Sequence, residues 1–319
     1  LQLEDIDAPI PGPEEVRIRI RACGVNYPDT LIIEDKYQFR PDRPFSPGGE
    51  VAGEIDAIGS EVLSHKVGDR VIGHLGWGGM AEQAITTPDK CMPIPDGMKD
   101  YEAAAFMFTY GTSYHALKQR GNLQAGETLL VLGAAGGVGL AAVELGKAMG
   151  ANVIAAASTE EKVALAVSRG ASKGIVYPKG PFDKTQTKEL SKLFKEAVGS
   201  KGANVIYDAI GGSYAEASLR SIAWEGRFLV VGFPSGIPSI PLNLPLLKGC
   251  QIAGVFWGSF CERQPVENTQ NVHELYELFK GKKIRPYVSA RYPLAESSQA
   301  IKDLSERRAM GKIVVTMDD

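Results

Sequence analysis

The sequence is poor in cysteine, has no excess of basic charge, and contains no apolar run fit to cross a membrane. Four cysteines, at positions 23, 91, 250 and 261, stand in 319 residues. None forms a CxxC pair, so neither a disulfide framework nor a zinc ribbon is indicated. A reducing compartment is the simplest expectation. Lys and Arg number 35 against 38 Asp and Glu, for a net charge of -3. Such a chain lacks the electrostatic footprint of a nucleic-acid binder. The longest uncharged run, residues 228–247, carries Gly232, Pro234, Gly236, Pro238, Pro241 and Pro245. That run cannot be a regular spanning helix. No membrane association is therefore expected. The opening residues do not read as a secretory leader. From the reducing compartment a cytoplasmic location is expected; because the sequence starts at Leu1 rather than Met, a missing start with a targeting segment makes a mitochondrial location the alternative.

Glycine, by contrast, is abundant, with 36 residues. Up to about residue 100 the pattern is short strands and turns. Residues 14–22 alternate apolar and charged side chains, which predicts a half-buried strand. Residues 49–58 and 69–75 predict further strands, and 76–87 another, as in a small barrel or sandwich. From about 128 to 257 strands alternate with helices. Strands are predicted at 128–132, 153–157, 175–177, 204–210, 227–232 and 252–257. Helices are predicted at 138–149, 160–169, 187–198 and 214–223. Six mostly apolar strands predict a parallel sheet covered on both faces. The tail gives a helix near 272–279, a strand at 288–294, a helix at 297–307 and a strand at 312–316. With no long linker, the tail must pack on an earlier region.

The sharpest local feature is Gly133-Ala134-Ala135-Gly136-Gly137-Val138-Gly139. Aligned to G-x-G-x-x-G, it has Ala134 in place of the first glycine. A strand precedes it, a helix follows, and a second strand comes after that, as dinucleotide binding requires. Gly136 allows close approach of a pyrophosphate, and Gly139 allows the helix to pack on the strand. The helix N-terminus, entered through Gly137 and Val138, offers N–H groups to the anion. The plain alternative is a glycine-rich turn without a ligand. The second strand ends in Ala157 and Ser158 with no acidic residue at 157. Without a carboxylate to repel a 2′-phosphate, and with Ser158 and Lys162 at hand, NADPH is favoured over NADH.

The glycine loop resembles the medium-chain dehydrogenase/reductases when taken with Cys23-Gly24-Val25-Asn26-Tyr27-Pro28-Asp29 and Pro47-Gly48-Gly49-Glu50-Val51-Ala52-Gly53. Further matches are Tyr110-Gly111-Thr112, Tyr207-Asp208-Ala209-Ile210-Gly211-Gly212, Val231-Gly232-Phe233 and Gly311-Lys312-Ile313-Val314. The resemblance covers nearly the whole chain and is to the zinc-free quinone oxidoreductase branch, which includes zeta-crystallin. It implies an α/β protein: a Rossmann doubly wound parallel sheet plus a GroES-like β-rich domain. The expected division is a substrate domain over 1–108, an NADPH-binding domain over 109–258, and a return to the first domain over 259–319. The zinc alcohol dehydrogenases of the same superfamily carry Cys where this chain has Asn26 and His where it has Gly49. Neither Asn nor Gly is a useful zinc ligand, so no metal is expected.

By the same resemblance, Asn26, Asp29 and Tyr37 line the substrate side and Thr112 lies by the nicotinamide. Val231, Gly232, Phe233, Phe256 and Trp257 form a backbone cradle. Ser158, Lys162, Tyr177 and an arginine at 307 or 308, taken as Arg308, hold the 2′-phosphate. The implied reaction is hydride transfer from NADPH to a quinone or an α,β-unsaturated carbonyl. Asn26, Tyr37 and Thr112 are the candidate donors to the developing oxyanion. An enone or enoyl-thioester reductase is the rival enzyme, and a crystallin-like NADPH-binding structural protein with little turnover the rival from another class. A homodimer is expected, formed through a sheet edge near residues 252–257.

Overall fold

The computed structural model describes residues 1–317. Thirteen strands are present among them: β1 (Val16–Val25), β2 (Glu50–Ile58), β3 (Arg70–His74), β4 (Gln83–Thr86), β5 (Cys91–Pro93), β6 (Thr128–Leu132), β7 (Asn152–Ala157), β8 (Lys173–Val176), β9 (Ala203–Asp208), β10 (Ile222–Val230), β11 (Gln251–Gly254), β12 (Val288–Pro293) and β13 (Lys312–Thr316). The chain forms two compact units, one from residues 1–108 with 286–319 and one from residues 109–285.

The first unit is built on a seven-stranded sheet in the order β12-β13-β1-β2-β3-β5, with β4 also paired to β1. Its central strand shows why the sequence alternates. Val16, Ile18 and Ile20 are fully buried. Arg17 faces outward and bonds Asp56 at 2.8 Å, while Arg19 lies opposite Glu54 in register on β2. The inward row packs with Val51, Ile55, Ile313 and Val315 into one core. The C-terminal strand is therefore a structural partner of the N-terminal one. β13 runs antiparallel to β1 with Val25 opposite Ile313.

The second unit carries six parallel strands in the order β11-β10-β9-β6-β7-β8. Successive strands step outward from β6 through β7 to β8. The chain then returns to place β9 on the other flank of β6 and continues to β10 and β11. The order thus reverses between β6 and β9. In sheets of this kind, ligands bind outside the carboxyl ends of the strands at that switch point. Leu130, Leu132, Ile154, Ile206 and Phe228 are buried in its core with Phe194 and Tyr214.

Three expectations shift. The strand expected over 76–87 shrinks to β4, because Gly76 and Gly78 adopt positive φ of 85° and 97° and turn the backbone. The helix expected to run to 223 stops at Leu219, and β10 already begins at Ile222. The return to the first unit starts at Pro286, not at 259. The helix Pro265–Lys280 stays with the second unit, where Lys118 Nζ donates to Glu274 at 2.5 Å and to Asn271 at 3.1 Å. His115 stacks on Phe260 close by, with ring centroids 4.0 Å apart.

Candidate active site

In the second unit, six strand ends assemble the candidate cofactor site. The loop after β6 is held by Gly136 N donating to Gly133 O at 2.9 Å, and the helix Gly137–Ala148 follows at once. A Cβ on Gly139 would lie 2.1 Å from Gly133 O, so only glycine lets the helix start this close to the strand. Around Gly136 such an atom would meet nothing nearer than 3.4 Å, so space is left open there. The first turn of any helix leaves N–H groups without intrahelical partners, and those of Gly137, Val138 and Gly139 are the candidates for an anion site here. Ala134, fully buried, takes the place of the first glycine, and its N–H donates to Ala156 O at 3.1 Å.

Ser158 directly follows β7, and Lys162 sits in the first turn of the helix Glu160–Ser168, which Thr159 caps through its hydroxyl. Tyr177 follows β8, bonds Ala157 O through its N–H at 2.9 Å, and packs its buried ring against Tyr214. After β9, Asp208 Oδ1 accepts from the N–H groups of Ile210 and Gly211, both at 2.9 Å, and shapes the loop. After β10, Val231 and Gly232 donate their N–H groups to Asp208 O. That leaves carbonyls and the half-exposed Phe233 to face a ligand. After β11, Phe256 is half-exposed, whereas Trp257 is buried flat against Gly111. Thr112 opens the short helix Thr112–His115 in the same unit.

Arg308 departs from this pattern. It belongs to the first unit, donates to Asp303 at 2.9 Å and is ion-paired with Glu306. Two carboxylates engage its guanidinium, which the expected role on the 2′-phosphate would have to displace.

In the first unit, the residues expected on the substrate side surround a buried polar cluster. Asn26 ends β1's extension and precedes the helix Tyr27–Ile32. Its Nδ2 donates to Gly24 O and to Glu50 Oε2, both at 3.2 Å, and its Oδ1 accepts from Lys312 Nζ at 2.7 Å. Glu50 also accepts the N–H of Phe108 at 2.8 Å. Burial pushes the Glu50 carboxyl up, and the Lys312 ammonium pulls it back. Asp29 accepts the N–H groups of Asn26 at 2.7 Å and Gly48 at 3.0 Å. Burial lifts its pKa to about 6 despite those two bonds. Both oxygens of Asp29 thus pin the 47–49 loop to the start of a helix. Tyr37 is half-buried. Burial and the charge of Asp29 raise its pKa, while Gln38 donates to its oxygen. The O–H proton of Tyr37 is therefore retained and can be donated.

Glu50 and Lys312 carry no role in the sequence reading. Their signal is a charged residue inside an otherwise apolar strand segment, in Glu50-Val51-Ala52 and in Lys312-Ile313-Val314-Val315. The donor set of this cluster does not fit zinc. Asn26 is a neutral amide and Glu50 is paired with an ammonium. A side chain at Gly49 would bring its Cβ to 2.9 Å from Gly76 O. A catalytic zinc needs three His, Cys or carboxylate ligands. No group of three such residues able to hold a metal occurs among the described residues.

Known protein families match parts of both units. Residues 12–96 match the alcohol dehydrogenase GroES-like domain, and residues 137–277 match the zinc-binding dehydrogenase family. The quinone oxidoreductase-like protein 2 homolog of Nematostella vectensis is 39% identical over 308 residues, covering 95% of this chain and 82% of that protein. The quinone oxidoreductase of Pseudomonas aeruginosa is 35% identical over 319 residues, covering 99% and 95%. The crystal structure of Escherichia coli quinone oxidoreductase complexed with NADPH superposes with a TM-score of 0.89 at 28% identity, covering 99% of this chain and 95% of that one. Together, the shared sequence and fold place the chain in the quinone oxidoreductase family of the medium-chain dehydrogenase/reductases.

Proposed function

We propose that this chain is an NADPH-dependent reductase that transfers hydride to quinones or related α,β-unsaturated carbonyls without a metal. The observation that carries the cofactor half is the convergence of the residues after all six parallel strands on one sheet edge, with a glycine loop at the switch point. Bound NADPH supplies the hydride. The chain holds it with Gly136–Gly139 at the pyrophosphate and with Ser158 and Lys162 at the 2′-phosphate. Ala157 presents no carboxylate to oppose that phosphate. Tyr177 walls the adenosine end, and Val231, Gly232, Phe233, Phe256 and Trp257 line the nicotinamide end. Holding donor and acceptor about 3–3.5 Å apart is a large share of the catalysis.

The substrate half rests on the donors of the first unit. As hydride arrives, charge develops on the acceptor oxygen, and preorganised donors stabilise it. Tyr37 keeps its proton and donates its hydroxyl. Asn26 has no idle N–H, but its two N–H bonds of 3.2 Å are at the long end of the normal range. An oxygen that gains charge accepts such a bond more strongly than the neutral Gly24 carbonyl does. The second proton of a hydroquinone comes from solvent. Asp29 serves as a strut for this wall.

The active species is a homodimer on this reading. Leu242, Leu246 and Leu247 are 79%, 78% and 65% exposed, beside the sheet-edge strand β11 and its half-exposed Ile252. An unpaired edge flanked by apolar side chains fits a second copy of the same chain. The functional reading is tested by following NADPH absorbance with 9,10-phenanthrenequinone and with a panel of enones and enoyl thioesters. Oxidation fastest with quinones supports it. Binding of NADPH without turnover of any acceptor contradicts it and favours a structural role.

A further inference from the structure

Lys312 is a buried cation of the first unit. Its side chain is 6% exposed and that of Glu50 is 1% exposed. An ammonium has three donors, and here all three are used: Asn26 Oδ1 at 2.7 Å, Val25 O at 3.0 Å and Glu50 Oε2 at 3.4 Å. The order of these distances is informative. A lysine retained only to neutralise a buried carboxylate would sit closest to that carboxylate. Lys312 instead sits closest to a neutral amide oxygen. Its place is fixed by the fold. β13 begins at Lys312, its N–H donates to Tyr287 O at 2.8 Å, and the next residue, Ile313, lies opposite Val25 in register.

The geometry points to Lys312 as the positioning residue of the substrate side, a fixed cation that grips and polarises the amide of Asn26. The inference rests on the proposed role of Asn26 as a donor to the acceptor oxygen. Donation into Oδ1 fixes which end of the amide faces Glu50, so the N–H groups cannot flip away. It also withdraws electron density across the amide, and linked hydrogen bonds in a low-dielectric setting strengthen one another. The N–H that turns to the developing oxyanion is then a stronger donor. Glu50 completes the cluster by balancing the buried charge, which is costly to bury unpaired. Such a fixed cation places positive charge behind the acceptor site without a metal.

The test compares Asn26→Ala, Glu50→Gln, Lys312→Met and the double variant Glu50→Gln/Lys312→Met, which removes both buried charges together. Thermal melting reports folding, NADPH fluorescence reports cofactor affinity, and kcat and KM are measured with 9,10-phenanthrenequinone. The double variant is expected to fold and to bind NADPH like the wild type, with kcat at least about tenfold lower and KM little changed, the signature of lost transition-state stabilisation. Glu50→Gln alone, which leaves the ammonium on Asn26 but without its counter-charge, is expected to melt below wild type and to lose less kcat than the double variant. A double variant with wild-type kcat beside an impaired Asn26→Ala overturns the role of Lys312 alone. Wild-type kcat/KM in Asn26→Ala overturns the reading of Asn26 and this inference with it. If the double variant melts below the assay temperature, Glu50→Gln decides. Loss as deep as in Asn26→Ala then assigns the role to Glu50 and refutes the inference.

Discussion

On the proposed reading, Lys162 and Ser158 discriminate between cofactors that differ by one phosphate. Replacing Lys162 by Ala removes a cation from the 2′-phosphate side and nothing from the rest of the nucleotide. NADPH affinity should fall about tenfold or more, equivalent to about 1.4 kcal/mol, while NADH affinity stays within error. Titration of both cofactors by fluorescence quenching checks this, and equal losses would remove Lys162 from the site. Asp208 makes a second prediction at this scale. Burial lifts its pKa from 3.8 to about 6, against the pull of the Gly211 and Ile210 N–H groups. A carboxyl whose folded pKa is raised binds its proton more tightly when folded. Its stabilising contribution is complete below about pH 4 and is lost as pH rises through 6. The loss amounts to about 3 kcal/mol at 1.36 kcal/mol per unit. Asp208→Asn keeps an Oδ1 acceptor for both N–H groups and cannot titrate. Its stability relative to wild type should therefore rise between pH 4 and pH 7 in denaturant melts. A constant difference would show that Asp208 does not titrate there.

Among the elements, the unit from β6 into the helix Gly137–Ala148 is the least forgiving. Gly139→Ala forces a methyl to within 2.1 Å of Gly133 O. The backbone must yield, at a cost of about 1–3 kcal/mol, and NADPH binding should weaken with it. Thermal melts with and without NADPH check both parts. Much of this unit was legible beforehand. Apolar strands such as 128–132 and the glycine spacing pointed to the parallel sheet, whereas the switch point between β6 and β9 needs the strand order itself. The turn of residues 76–82, the early stop at Leu219 and the helix Tyr27–Ile32 were not legible, because short elements are decided by tertiary contacts more than by periodicity. The buried cluster was the hardest to foresee. Glu50 and Lys312 are 262 residues apart, and no local pattern announces that β2 and β13 flank the same strand. Asn26 and Asp29 were singled out on the resemblance, and the hydrogen bonds add a structural role for Asp29.

For the whole molecule, the fold ties both ends of the chain into one sheet, since β13 and β12 complete the sheet begun by β1. On the proposed reading, self-association runs through the other unit. Replacing Leu246 and Leu247 by Asp places charge on the apolar flank of β11 and should convert a dimer into a monomer, read by light scattering after gel filtration. An unchanged mass would move the interface elsewhere. The central claim is that hydride passes from NADPH to a quinone at a site where a lysine, not a metal, supplies the fixed positive charge. The most direct measurement is NADPH oxidation by 9,10-phenanthrenequinone after exhaustive chelation, with metal content determined on the same sample. The account predicts full turnover at negligible bound zinc and no gain on adding zinc. Activity that disappears with the metal and returns in proportion to added zinc would contradict it.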